Sequence, residues 1–315
     1  MKLNGLHHIT AMAGDPQKNV DFYVGVLGLR LVKKTVNFDD PGTYHLYYGD
    51  HVGTPGTIIT FFPWPGARHG KPGAGQATRI AFQVASGSLA YWRSRLEERG
   101  IDLSGAHRRF NQTYLEFRDP DGIALEIVET KEPRKVEPWK ASDVPIEHAL
   151  CGFDGVTLTL DGYQRTAKLL TETMDAKFIG SEGNCFRHVL GEGSQATKID
   201  LVCQPAGIPG RGGVGLIHHI AWDTPSDQEQ LEWLEKLTKG GFNVSPVMDR
   251  NYFHSIYYRE PGHVLFEIAT TPPGFGVDEP VDSLGEKLML PDWLEPQRAS
   301  LEASLPPLKL PEIKS

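Results

Sequence analysis

The chain has 315 residues, enough for two domains with sizeable cores, and 40 acidic against 32 basic side chains give a formal charge of -8. No Lys/Arg run stands out, so no nucleic-acid partner is expected, and no apolar run approaches a membrane span. The N-terminus lacks a signal-peptide pattern and Cys151, Cys185 and Cys203 share no metal-type spacing, which together predict a cytoplasmic chain with reduced thiols.

A strand is expected over 6–12. Asp15 then reads as an N-cap and Pro16 as the first residue of a helix carried by Val20, Phe22, Tyr23, Val26 and Leu27, which Gly28 stops. Strands follow at 29–37, 44–48 and 57–62. The order repeats from 78 to 130, with a helix over 89–99 and a last hairpin turning on Asp119-Pro120-Asp121-Gly122 between 113–117 and 124–129. A third copy spans 155–204, with a helix near 163–174. A fourth spans 216–270, with a helix near 227–239. Self-similarity in fixed order marks duplicated supersecondary units. The class is α+β, built from four βαβββ modules. The expected division is modules one and two in 1–130, a linker over 131–148, modules three and four in 149–270, and a Pro-rich tail over 271–315. The tail carries one short helix near 292–303 and is expected to cover a sheet edge or the site.

Alternation sets which residues face the concave side of each sheet. Ile80, Phe82 and Val84 are apolar where Arg79, Ala81 and Gln83 are not, and Val156, Leu158 and Leu160 alternate with small or polar neighbours. In that register His8 and His219 face inward. His7 and His218 fall on the opposite face, unless a bulge turns them. In the last strands Phe266 and Ile268 face the helices, so Glu267 faces inward, as do Thr60, Glu126 and Asp200 in the other copies.

His8, His219 and Glu267 therefore point to one place. Two imidazoles and a carboxylate on one face suit non-heme Fe(II), and Zn(II) could use the same set for hydrolysis. A lone buried Glu would be costly without a cation. Common ligation requires module one to pair with module four, and module two with module three. In the second cup so formed, Arg79 is expected to pair with Glu126 or Asp200 in place of a metal. His45, His51, His69, His254 and His263 read as structural or solvent-exposed.

The chain resembles the vicinal oxygen chelate superfamily, and over nearly its full length the hydroquinone ring-cleaving dioxygenases of the chlorohydroquinone dioxygenase and MhqO type. The resemblance rests on Leu6-His7-His8-Ile9-Thr10, on Val36-Asn37-Phe38-Asp39-Asp40-Pro41 with Tyr44-His45-Leu46-Tyr47-Tyr48-Gly49-Asp50, and on Pro55-Gly56-Thr57 leading to Thr60-Phe61-Phe62-Pro63-Trp64. It continues in His218-His219-Ile220-Ala221 and Phe266-Glu267-Ile268-Ala269-Thr270. It implies two half-barrel cups and Fe(II), or sometimes Mn(II), held by His8, His219 and Glu267. It also implies that His7, His218, Thr10, Arg250 and Tyr257 line the catalytic pocket. The implied substrates are a small aromatic hydroquinone and O2 in extradiol-type cleavage, and a homo-oligomer is compatible with it. His218, then His7, is the expected acid/base group. Arg250 would hold negative charge and Tyr257 would donate to a developing anion. Two other readings are a metal-dependent glyoxalase or isomerase of this fold, which usually wants a fourth ligand where module one has Thr60, and a metal-free aromatic or drug binder.

Overall fold

Four modules of alternating strands fold into two eight-stranded sheets in the computed structural model, which describes residues 1–311. Module one supplies β1 (Leu6–Ala13), β2 (Arg30–Asn37), β3 (Asp40–Gly49) and β4 (Ile58–Pro63). Module two supplies β5 (Gln76–Ala85), β6 (Ala106–Arg109), β7 (Gln112–Arg118) and β8 (Ala124–Thr130). Module three supplies β9 (Phe153–Leu160), β10 (Lys177–Glu182), β11 (Cys185–Leu190) and β12 (Thr197–Cys203). Module four supplies β13 (Leu216–Thr224), β14 (Met248–Asp249), β15 (Phe253–Arg259) and β16 (Leu265–Pro273). The charged strand β6 was not anticipated from the alternation.

Within each module the first strand pairs in parallel with the last. Between modules, β1 pairs antiparallel with β13 and β5 with β9. One sheet runs β14-β15-β16-β13-β1-β4-β3-β2 and the other β10-β11-β12-β9-β5-β8-β7-β6. Modules one and four thus form one cup, and modules two and three the other, as the convergence of His8 and His219 requires.

Helices α1 (Pro16–Val20), α2 (Leu89–Glu98), α3 (Gln164–Lys168) and α4 (Asp227–Lys239) pack behind the sheets, where Trp92, Trp233, Tyr23 and Leu170 are fully enclosed. Asp15 caps α1 by accepting from the amides of Gln17 and Lys18. Both α1 and α3 widen into π-turns, over Asp21–Val26 and Leu169–Thr173, instead of continuing as regular helices. Widening lets three successive side chains, Phe22, Tyr23 and Val24, reach the core together. Among the described residues no helix is long and apolar enough to cross a membrane. All three cysteines are free thiols.

The tail covers the open edge at β2. Met289 N–H donates to Lys34 O at 2.9 Å, and Leu290, Leu294, Leu301 and Leu305 are buried. Its helix α5 (Arg298–Ser304) is shorter than anticipated. Pro296, which has no N–H, lies in the preceding 3-10 turn, and the α-helix begins only beyond it. The last four residues of the tail, 312–315, lie outside the described residues.

Lys33 pins this tail. It is fully buried on β2, with Nζ 2.6 Å from Asp278 Oδ1 and 2.5 Å from Glu279 Oε2. Lys33→Ala would leave the buried Glu279 carboxylate without its counter-charge, so unfolding stability should fall by roughly 3–5 kcal/mol and the tail should become a preferred protease target. Urea unfolding and limited proteolysis test this. A loss under about 1 kcal/mol, the scale of an exposed pair, would show that the pair does not anchor the tail.

Candidate metal centre

Three adjacent strands converge on one point. His8 on β1, His219 on β13 and Glu267 on β16 are 2%, 5% and 0% exposed. His8 Nε2 lies 3.4 Å from His219 Nε2 and 3.3 Å from Glu267 Oε2, and His219 Nε2 lies 2.9 Å from that same oxygen. Ligands at right angles about one ion, each about 2.0–2.2 Å away, would sit about 3 Å apart, so the triangle fits a divalent cation.

The proton inventory points the same way. His7 and His8 face each other through Nδ1 at 2.9 Å, and His218 and His219 through Nδ1 at 2.7 Å. Each contact holds one proton. With that proton on His8 and His219, their Nε2 lone pairs face Glu267, and the first histidine of each pair fixes the tautomer of the second. Glu267 Oε2 is buried and accepts no hydrogen bond, while Oε1 accepts from Ser255 Oγ at 2.5 Å. Three lone pairs around an enclosed point call for a cation. Burial opposes ionisation of Glu267, and without an ion the carboxyl depends instead on charge and N–H donation from His8 and His219, which outweigh burial and hold it well below the usual range. Burial, then His8, pushes the His7 imidazole down to about 3. Burial, then His219, also lowers His218, although one edge of that residue remains exposed and tempers the effect.

Strict alternation puts His7 and His218 on the far face, and here the structure departs from it. In the β1–β13 ladder Leu6 opposes Trp222 and His8 opposes Ala221, so His7 is an extra residue. Thr10 opposes His219 and Ala11 opposes Ile217, so His218 is extra on the other strand. These two β-bulges reset the pleat and bring the members of each pair together through Nδ1, with His218 reaching the cavity beside the site and His7, expected to line it, enclosed between His8 and Phe253 instead.

A cavity of about 360 Å³ opens beside the triad, bordered by His8, His218 and His219 and walled by Tyr47, Phe62, Trp64, Phe253 and Tyr257. Arg250 also lines it. Its Nε donates to Tyr257 Oη at 3.2 Å, and a terminal nitrogen lies 3.2 Å from Asp39 Oδ2. Burial, then Glu267, raises the Tyr257 phenol well above its usual range, so it stays a donor. Thr10 Oγ1 lies 2.9 Å from Thr60 Oγ1, on the inner face. His45, expected to be structural or exposed, lines the cavity with Tyr47 and bonds Thr60 at 2.8 Å. Period-two alternation in β3 was the available signal for this inward pair. The histidines His51, His69, His254 and His263 do not line this cavity.

In the second cup the corresponding carboxylates are neutralised by guanidinium groups. Arg109 donates to both oxygens of Glu126 at 3.0 and 2.6 Å, and its Nε lies 3.0 Å from Asp200. Arg187 donates to both oxygens of Asp200 at 2.7 Å. The expected partner Arg79 is peripheral: it is partly exposed, 3.8 Å from Glu126 and 3.5 Å from Glu116. Arg109 and Arg187 reach the centre from neighbouring strands and take the role assigned to it. Gly155 occupies the place of His8, and a Cβ there would collide with the carbonyl oxygen of Lys198.

The model of the Glyoxalase/Bleomycin resistance protein/Dioxygenase superfamily matches residues 5–127 and 152–268. "Putative ring-cleaving dioxygenase MhqO" of Bacillus subtilis (strain 168) is 48% identical over 312 residues, covering 99% of each chain. "Chlorohydroquinone/hydroquinone 1,2-dioxygenase" of Sphingobium indicum is 37% identical over 300 residues, covering 93% of each. A crystal structure described as a putative dioxygenase from Bacillus subtilis superposes with a TM-score of 0.95 at 48% identity, covering 99% of both chains. Glyoxalase I from Zea mays shares the fold at a TM-score of 0.63 and 14% identity, over 85% of this chain and 92% of that one.

After anaerobic loading with Fe(II), elemental analysis should find about one ion per chain. Replacing His8, His219 or Glu267 by Ala should remove it without changing the circular dichroism spectrum, and Glu126→Gln should leave it unchanged. A value near two, falling to one in Glu126→Gln, would show that the second cup binds metal as well.

Proposed function

The chain belongs to the Glyoxalase/Bleomycin resistance protein/Dioxygenase superfamily, and from that premise we propose that it is a ring-cleaving dioxygenase acting on hydroquinone-type aromatics. The reading is carried by one observation: a two-His, one-carboxylate face opens directly onto an aromatic-walled cavity. His8, His219 and Glu267 would hold the ion, with Fe(II) preferred and Mn(II) the alternative, and the opposite face is left for ligands. When bound, such an ion lowers a phenol's pKa and passes electron density between ring and dioxygen. The reaction is of extradiol type: one ring carbon–carbon bond breaks, and both atoms of O2 enter the product.

The chain's own residues supply the rest. Phe253, Phe62 and Trp64 flank the space for a flat ring and exclude water from it. His218 borders the cavity with Nδ1 accepting from His219, so its Nε2 carries the ring's one proton and is the atom that can donate it to an oxygen gaining negative charge. His7, enclosed against Phe253 with ring centroids 5.0 Å apart, instead fixes the tautomer of His8. Arg250 and Tyr257 form one hydrogen-bonded unit that can donate to negative charge developing on the ring or on oxygen. Thr10 adds a hydroxyl beside His219, its partner in the strand register. The fourth inward position is Thr60, whose hydroxyl is already bonded to Thr10 and His45, which speaks against a four-ligand isomerase centre.

The Fe(II)-loaded protein should consume one O2 per hydroquinone in an oxygen electrode, and a chelator should abolish the uptake. Hydroquinone, catechol and methylglyoxal hemithioacetal are compared in parallel, and turnover of the last without oxygen would replace this reading by the isomerase one. His218→Gln should retain iron yet slow turnover by roughly 10²–10⁴-fold, and an unchanged rate would move the acid/base role elsewhere.

A further inference from the structure

A second and larger cavity borders the metal centre. It measures about 700 Å³, and His218, His219 and Leu265 line both it and the aromatic-walled one. It lies along the seam between the cups. Gln76 on β5 and the segment after β9 line one side, and the turn between β15 and β16 lines the other. Where the first cavity has Phe62, Trp64 and Phe253, this one has Arg165, Arg259, Gln164 and His263.

Arg259 belongs to the inward row of β15. In that row Ser255 bonds Glu267, Tyr257 lines the aromatic cavity, and Arg259 is the next residue on the same face. Tyr257 opposes Glu267 in the ladder and Arg259 opposes Leu265, so Arg259 sits one inward step, about 7 Å along the strand, beyond Tyr257. Arg165 comes from the other cup, on α3. A buried clamp joins the neighbours of the two arginines. Thr166 Oγ1 donates to Glu260 Oε2 at 2.6 Å, and the same carboxylate accepts from the amides of Gly262 and Val264 at 2.8 and 2.9 Å. Thr166 and Glu260 are 0% and 1% exposed, so the clamp fixes the β15–β16 turn against α3. Arg259 gives one nitrogen to the carbonyl oxygen of His263 at 2.9 Å, and neither arginine enters an ion pair among the described residues. Asp161, the carboxylate bordering the cavity, accepts instead from the Ala206 amide at 2.5 Å. A cavity with two guanidinium groups and no carboxylate on either attracts an anion.

Ring cleavage supplies one. The bond between an oxygen-bearing ring carbon and its neighbour breaks. The first carbon takes one atom of O2 and becomes a carboxyl group, and the second takes the other and becomes an aldehyde. Four electrons pass from the two carbons to O2, and every hydrogen is retained until the carboxyl group ionises to solvent. A flat neutral ring thus becomes a flexible anion, for which aromatic walls offer no counter-charge.

We infer that the cavity between the cups is a product vestibule, in which Arg259 and Arg165 bind the carboxylate of the ring-opened product while the aromatic cavity takes the neutral ring. The identity of the anion rests on the function proposed above.

The test uses cis,cis-muconate, a dicarboxylate that resembles the opened ring, titrated calorimetrically into the full-length Zn(II)-loaded protein. Both arginines are exposed, so their replacement leaves the core intact. Affinity should fall by more than about tenfold when Arg165→Gln and Arg259→Gln are combined, and should be largely kept when Arg165→Lys and Arg259→Lys are combined. Saturating hydroquinone should leave muconate affinity within about twofold, as two separate cavities require. No binding by the wild-type protein, unchanged affinity in the double glutamine variant, or displacement of muconate by hydroquinone overturns the inference. Inorganic phosphate binding more tightly than muconate would assign the arginines to a phosphorylated ligand and overturn it too. Failure of hydroquinone to bind or to drive oxygen uptake would instead overturn the proposed reaction and the product assignment with it, while the muconate titration still decides whether the vestibule holds an anion.

Discussion

A carboxylate shut away from water must meet positive charge, and each cup of this protein is organised around that requirement. Glu267 in the first cup and Glu126 with Asp200 in the second are buried on strands that cannot move aside. The first cup surrounds its carboxylate with histidine nitrogens whose lone pairs add to the demand for a cation. The second meets the demand internally with Arg109 and Arg187. The same backbone plan thus yields one carboxylate facing histidines that could share an ion with it and one pair of carboxylates already neutralised. Gly155 makes the difference hard to reverse, because the place of His8 has no room for a side chain.

The bulges are the second shared device. The β5–β9 ladder has extra residues at Thr78 and Asp154, the counterparts of His218 and His7. Both central seams therefore bend in the same way, and the bend precedes the chemistry built on it. In the first cup it places two histidines side by side on one face, which a regular strand cannot do. Pairing them through Nδ1 then makes the inner histidine of each pair a defined tautomer.

Much of this was legible in the sequence, for identifiable reasons. The modules follow from repeated order, and the inward places of His8, His219 and Glu267 follow from period-two alternation. The π-turns of modules one and three were not legible, since helical spacing cannot reveal a one-residue widening. The inward turn of His7 and His218 was invisible to alternation because an added residue reverses it. Resemblance required that turn, and the ladder supplies it for His218, while His7 ends enclosed beside His8. Arg79 was favoured over Arg109 and Arg187 because alternation on a first strand says nothing about how far a long side chain reaches from a neighbouring one. His45 was set aside because its position on β3 matters only once β3 is known to curve around the cavity.

The pairing of the modules also sets an order of assembly. The second cup is made of modules adjacent in the chain, and its last strand ends at Cys203. The first cup joins the two ends: His8 and His219 lie 211 positions apart, and the tail that closes the β2 edge comes later still. Closing so long a loop is entropically slow, so the local cup is suited to form first and hold the distant modules near each other. A nascent chain cannot bring His8, His219 and Glu267 together before β16 is made.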